Sequence, residues 1–240
     1  TNIYQVDADN FVTLIYRNTV FSQTINDLFE IPDNLAYDDS RSLDGGELGT
    51  LTGTGQVNVS YSADHPFGLV SAGGQLEYID FYEGSQLQLR LTGDFEMEGS
   101  VTVTYPYLTQ SGTPLSHTFN FDNSINPGID IVELKNIEGY RMQLNATGPN
   151  NIPVNYILEL TNNPSATTDQ TNYVKVEHTY MNSRIGAARG DFGNIPLDVE
   201  PDVVDIDILE NQQSGEINFE DPRLRVTMNN SFGMSMQGTI

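Results

Sequence analysis

The stretch Gln86-Leu87-Gln88-Leu89-Arg90-Leu91 alternates polar and apolar side chains without a break, and that alternation decides the fold. Successive side chains of a strand point to opposite faces, so a period of two gathers Leu87, Leu89 and Leu91 on one face and Gln86, Gln88 and Arg90 on the other. A helix would spread the three leucines around its circumference. The same pattern returns in Val57-Val59-Tyr61, and in Val101-Val103-Tyr105 opposite Thr102 and Thr104. Working outward, residues 11–16, 75–82, 117–121, 129–134, 140–146, 154–160, 173–180, 203–209, 215–219 and 224–228 read as further strands. Turns such as Gly73-Gly74, Ser111-Gly112 and Asn126-Pro127-Gly128 divide them. Many short strands with frequent turns predict an all-β protein, either an antiparallel β-sandwich or two packed β-sandwich units, with very little helix. The expected core contains Leu14, Val57, Val59, Leu87, Leu89, Leu91, Val101, Val103, Phe119, Phe121, Leu144, Leu158, Val174, Val176, Ile206 and Val226. Only residues 22–29 carry helical spacing, with Ser22 or Thr24 as N-cap and Pro32 beyond the end.

Three segments lack the alternation. Residues 32–54 are acidic and Gly-rich, with Asp38-Asp39 and Asp44-Gly45-Gly46-Glu47, and read as a long surface loop or linker. Residues 161–171 form a polar run, and residues 186–201 are rich in Gly and Pro. These breaks suggest an N-terminal strand, short helix and acidic loop over 1–54 and a main antiparallel unit over 55–160. Residues 172–240 would be a second β unit or a continuation of the same sandwich. The start at Thr1 and the strand-like 226–240 lead us to expect a processed chain that belongs to something longer.

Composition excludes several classes of function. With 240 residues, 38% of them hydrophobic, the chain can bury a core. The excess of 33 acidic over 10 basic residues, a net charge of −23, repels phosphate backbones and anionic headgroups, so nucleic acid is not an expected partner. No run of 18 apolar residues is present, so direct membrane insertion is not expected either. The absence of cysteine removes disulfides, thiol nucleophiles and thiolate metal sites together. With only Lys135 and Lys175 as lysines and many Asn, Gly and Thr turns, the chain is expected to be extracytoplasmic: periplasm, outer membrane or cell surface.

The acidic residues supply the candidate metal ligands. Within 203–209, Asp205 and Asp207 share one strand face, and with Asp202 they form the densest carboxylate set. Same-face carboxylates two residues apart lie about 7 Å apart, a spacing that bridges Ca2+ when loops add oxygens. Without those oxygens the set is a solvated strand face, so no cofactor is expected and Ca2+ is the one ion it would suit. Asp7-Ala8-Asp9-Asn10 opens like a calcium loop but lacks the glycine and the distal glutamate. His65 precedes Pro66 in a turn, and His117 and His178 fall in strands as surface or rim residues; none belongs to an HxH or HExxH arrangement. No G-x-S-x-G or phosphate-binding loop occurs, and no carboxylate pair stands out for glycoside hydrolysis. The expectation is therefore a non-enzymatic protein. Tyrosines suit protein interfaces because a stiff ring buries area at small entropic cost, and Tyr78, Tyr82, Tyr105 and Tyr107 on two Tyr-rich strands are the interface candidates.

Both ends of the chain carry a family-like signal. The opening Val6-Asp7-Ala8-Asp9-Asn10-Phe11-Val12-Thr13-Leu14-Ile15-Tyr16, followed by Thr24-Ile25-Asn26-Asp27-Leu28-Phe29-Glu30-Ile31-Pro32-Asp33, resembles the start of large β-rich envelope proteins of Bacteroidota. Near the end, Ile217-Asn218-Phe219-Glu220-Asp221-Pro222-Arg223-Leu224-Arg225-Val226 and Asn229-Asn230-Ser231-Phe232-Gly233 are similar to a strand, Asp-Pro, strand pattern repeated in such proteins. That group includes proteins associated with outer-membrane channels, among them the plug subunit of the type IX secretion translocon. The resemblance implies a secreted or outer-membrane-associated protein that docks on, or plugs, a larger envelope complex such as a protein-secretion channel. It assigns no functional residue, because the matching positions are strand and turn positions. The alternative is an extracellular glycan- or calcium-binding β-sandwich module.

Overall fold

The computed structural model describes residues 35–67, 74–124, 128–145 and 150–191, two strands near the N-terminus, and the single positions Ala8, Ser22, Arg223, Arg225, Thr227 and Asn229. The chain divides into two compact units, one formed by 1–25 with 196–240 and the other by 26–195. In the first unit, β1 (Ile3–Val6) pairs antiparallel with β2 (Val12–Ile15), Ile3 opposite Ile15. The expected helix 22–29, the strands expected over 203–228, the surroundings of Leu14, the core positions Ile206 and Val226, and the candidate ligands Asp202, Asp205 and Asp207 lie outside the described residues.

The second unit is an antiparallel sandwich. In chain order it contains β3 (Leu35–Ser42), α1 (Gly45–Thr54), β4 (Gln56–Pro66), β5 (Gln75–Phe81), β6 (Gln86–Gly93), β7 (Glu98–Gln110), β8 (Thr113–Asp122), β9 (Ile129–Asn136), β10 (Arg141–Gln143), β11 (Asn151–Thr161), β12 (Tyr173–Met181) and β13 (Ile185–Asp191). One sheet has the order β3-β12-β6-β9 and the other β13-β5-β10-β7-β11-β4, with β8 also on β7. Most connections cross from one sheet to the other, so neighbours in a sheet are far apart in sequence. Among the described strands of this unit, the one consecutive pair that is also adjacent in a sheet is the β7–β8 hairpin, closed by Ser111 and Gly112 at φ 51° and 82°. Two successive positive φ values give the turn whose twist matches paired strands. Among the described residues no helix is long and apolar enough to cross a membrane.

Two readings of the sequence are corrected, for 32–54 and for 186–201, and one pair of alternatives is narrowed. Residues 32–54 are not all loop, because β3 and α1 lie within them. The inward positions of β3 are Leu35, Tyr37, Asp39 and Arg41, which give no apolar alternation; pairing with β12 from Leu35 through Ser42 holds the strand. α1 (GGELGTLTGT) is built from poor helix formers and depends on its ends. Asp44 accepts from the Gly46 and Glu47 amides, Glu47 bonds back to the Asp44 amide at 2.8 Å, and Gly55 closes the far end at φ 82°. Arg41 grips the Glu47 carboxylate through both oxygens, and Leu51 is fully buried. Of the two alternatives for 172–240, the described part 172–191 continues the same sandwich: β12 pairs with β3 and β6, and 161–171 carries the chain from one sheet to the other. The segment 186–201 begins in strand, since β13 reaches Asp191 against β5.

The core follows the parity read from the sequence. Every expected core residue whose burial is described is buried, including Leu87, Leu89, Leu91, Val174 and Val176 on one sheet and Val101, Val103, Phe119 and Leu158 on the other. Packing is tight where β7 runs between β8 and β11. A Cβ on Gly99 would meet the Glu159 carbonyl oxygen at 2.5 Å and the Phe121 ring at 2.8 Å, so a side chain is excluded by backbone and core together.

Candidate functional site

The inward faces are apolar except at one end of the sandwich, where ionisable groups meet between the sheets. Strand parity brings them there. His178 follows Val174 and Val176 on the inward face of β12, and Tyr180 comes next. His65 continues the Val57, Val59, Tyr61 face of β4, and Tyr156 lies opposite Tyr61 on β11. Asp39 lies inward on β3, next to the β12 register in which Tyr37 faces His178. Asp39 and His65 thus sit on strands that end their respective sheets among the described residues, while His178, Tyr156 and Tyr105 lie deeper.

One carboxylate oxygen is the hub. Asp39 Oδ2 lies 2.7 Å from His65 Nε2 and 3.4 Å from His178 Nε2, and accepts the Tyr156 hydroxyl. The Tyr156 hydroxyl is also 2.8 Å from His178 Nε2, and Tyr105 is hydrogen-bonded through its hydroxyl to His178 Nδ1. These partners assign the protons with the His178 ring neutral. Tyr105 donates to His178 Nδ1, His178 Nε2–H donates to Tyr156, and Tyr156 and His65 Nε2–H both donate to Asp39. Rings enclose the cluster. Tyr37 stacks on His65 at 4.4 Å and Tyr61 on Tyr156 at 4.6 Å, and the two imidazoles meet edge to face at 5.0 Å.

Burial sets the electrostatics. His178 is fully buried, and loss of water pushes its pKa below the ordinary histidine value, against the opposing pull of Asp39. Burial would raise the Asp39 carboxyl, but hydrogen bonds from His178, His65 and Tyr156 and the proximity of His65 outweigh it and hold the group well below the usual carboxylate range. Burial, then the bond to Asp39, raises the Tyr156 phenol far above its ordinary value; burial raises Tyr105 likewise and pushes Tyr37 up to about 12. The resting arrangement therefore includes an Asp39 carboxylate, a neutral His178 imidazole and neutral phenols.

Three polar atoms at this end have no partner among the described residues: His65 Nδ1, Tyr61 OH and Tyr180 OH. Asp39, His65 and His178 each offer one ligand atom, all within 4.8 Å of one another. Two imidazoles and a carboxylate are a donor set for a divalent transition ion.

Of the four tyrosines singled out in the sequence, Tyr105 belongs to this cluster. Tyr105 is 1% exposed and bonded to His178, so it is a core residue and cannot anchor a surface partner. Tyr82 is 59% exposed after the end of β5, and Tyr78 is half-buried under the Arg141 guanidinium, 3.9 Å from the ring centre. Tyr107 is half-buried on β7, and β10 lies between β5 and β7 in the sheet. The rim placement expected for His178 is overturned, and His65 ends a strand rather than sitting in a turn. His178 had a usable signal, since Val174-Val176-His178-Tyr180 keeps one parity. Asp39 had none, lying in a segment without apolar alternation.

No family model matches the chain, and no curated protein matches it. Among solved structures, a chain from desmodium yellow mottle tymovirus is similar at 12% identity, covering 70% of this chain and 95% of that chain with a TM-score of 0.29.

Proposed function

We propose that the chain is a non-enzymatic docking module of a bacterial cell envelope, and that it docks by accepting an extended, basic segment of a partner protein as an added strand on β9. The observation that carries the reading is an apolar strip on a sheet edge. Val132 and Leu134 point outward from β9 and are 52% and 50% exposed, and among the described residues β9 pairs only with β6. Edge strands are ordinarily blunted by charge, proline or a bulge, because their unpaired amides and carbonyls invite another chain. β9 has a regular register from Ile129 to Asn136 and presents two adjacent apolar side chains on that face.

Charge selects the occupant. Arg90, opposite Val132, is held by Asp130 at 2.8 and 2.9 Å and by Glu177, while Lys135 lies 3.4 Å from Glu133. The cations near the strip are spent on local carboxylates, and a chain at −23 favours a partner that brings positive charge and disfavours a second copy of itself. Strand addition would supply main-chain hydrogen bonds, with side-chain contacts over Val132 and Leu134 giving selectivity. The envelope setting, and docking on a complex such as a secretion channel, are supported by the sequence resemblance and the acidic composition.

The test is recovery of the native complex with wild type and with Val132→Lys plus Leu134→Lys, each shown to be folded. Tyr78→Ala, Tyr82→Ala and Tyr107→Ala are compared in parallel. Yield should fall at least tenfold for the β9 variant. Undiminished yield would remove β9 as the docking edge, and loss confined to the tyrosine variants would move the interface to those strands.

A further inference from the structure

We propose that Asp39, His65 and His178 bind one divalent transition-metal ion between the two sheets, with Zn2+ the best-fitting ion. The geometry comes first. In a tetrahedral Zn2+ site with bonds near 2.0–2.1 Å, ligand atoms lie about 3.3 Å apart. His178 Nε2 is already 3.4 Å from Asp39 Oδ2, His65 Nε2, at 2.7 Å, needs to open by about 0.6 Å, and the three ligand atoms all lie within 4.8 Å of one another. The Nε2 atoms of both imidazoles and one Asp39 oxygen are gathered in one place, as the donors of a chelate must be. A chain of hydrogen-bonded core residues does not require it.

The surroundings suit the ion. Tyr105 meets His178 Nδ1 and Tyr156 meets Asp39, so ring and carboxylate are each held by a second group, as metal ligands commonly are. Binding needs both rings to carry their protons on Nδ1, that of His178 facing the Tyr105 oxygen, and the bond between His178 Nε2 and the Tyr156 hydroxyl to open. His65 Nδ1 is buried with no partner among the described residues. The hydrogen bonds within the cluster therefore leave some of this ring's capacity unused. Asp39 keeps 16% of its side-chain surface in contact with solvent, which gives the ion an entry path and a solvent ligand.

Donor type sets the class. Ca2+ and Mg2+ require many oxygens, whereas two imidazoles and one carboxylate favour the later first-row ions. The ion would join β3 and β12 of one sheet to β4 of the other, acting as a bolt across the sandwich.

The decisive experiment uses the full chain, stripped with EDTA and labelled with 15N at histidine. Zn2+ is added against a chromophoric chelator, and the imidazole nitrogens are followed by NMR. The proposal expects one ion per chain, with the Nε2 resonances of His65 and His178 shifting by ten parts per million or more and those of His117 unmoved. His65→Gln and Asp39→Asn should each weaken binding at least tenfold, while His117→Gln should leave it unchanged. Absence of stoichiometric binding, or binding that leaves the His65 and His178 nitrogens unmoved, would overturn the proposal. The NMR readout on the native chain keeps it falsifiable if the variants fail to fold.

Discussion

Four buried or half-buried tyrosines at one end of the sandwich differ in one respect, and removal of a single oxygen from each separates a bonded cluster from incidental packing. Tyr156 donates to Asp39 and lies 2.8 Å from His178 Nε2, and Tyr105 bonds to His178 Nδ1. Tyr61 and Tyr180 have hydroxyls without a partner among the described residues. Tyr156→Phe keeps the ring stacked on Tyr61 but deprives a carboxylate of a donor and strands an imidazole N–H. A hydrogen bond to a charged group contributes about 1.5–3 kcal/mol and an ordinary one about 1 kcal/mol, so the expected loss is about 2–4 kcal/mol. Tyr105→Phe removes one neutral bond and should cost about 1–2 kcal/mol. Tyr61→Phe and Tyr180→Phe remove unsatisfied buried oxygens and should be neutral or stabilising by up to about 1 kcal/mol. Urea unfolding followed by circular dichroism reads these differences. At a slope of about 1–3 kcal/mol/M, the Tyr156→Phe midpoint should fall by about 1–2 M while those of Tyr61→Phe and Tyr180→Phe hold or rise. Equal effects across all four substitutions would refute the assignment of the cluster.

Acid should destabilise the fold before any general carboxylate protonation. Because the folded state lowers the His178 pKa, the unfolded chain takes up a proton below about pH 6.5 that the folded ring refuses, and stability falls with pH at up to about 1.4 kcal/mol per unit. The lowered Asp39 pKa acts in the same direction, its contribution being complete above about pH 4 and lost as pH falls further. Urea midpoints measured at pH 7.5 and 5.5 should differ accordingly, with most of the difference retained in His117→Gln, which removes the other histidine lowered by burial; a flat profile would contradict the burial of His178. Leu89→Ala, at a position 1% exposed between β12 and β9, should cost about 2–5 kcal/mol, and unchanged stability would overturn the assignment of that face. Chelation by EDTA should move the melting temperature by no more than a few degrees, because Asp39, His178, Tyr105 and Tyr156 are linked by hydrogen bonds without an ion; collapse of the fold would make the metal a requirement for folding.

The sandwich was legible because alternation is local. Leu87-Leu89-Leu91 and Val101-Val103 state their buried face within a few residues, and the Ser111-Gly112 turn closes its hairpin as its residues require. What alternation does not carry is pairing between distant strands. β3 meets β12 and β4 meets β11 across long stretches of intervening chain, so Asp39, His65 and His178 become neighbours only through the topology. β3 was hidden as well because half its inward positions are polar, and α1 because capping by Asp44 and Glu47, rather than residue propensity, sustains it. The tyrosines show the same limit. Residue type predicted four interface anchors, and parity alone places Tyr105 inward beside Val101 and Val103.

Docking through β9 is tested most directly by hydrogen–deuterium exchange on the chain alone and in the complex recovered with it. The β9 amides not already bonded to β6 should exchange rapidly in the isolated chain and at least tenfold more slowly in the complex, while β3 and β4 change little. Protection of those same outward-facing β9 amides already present in the isolated chain, or protection on binding that falls elsewhere and leaves β9 unchanged, would contradict the account.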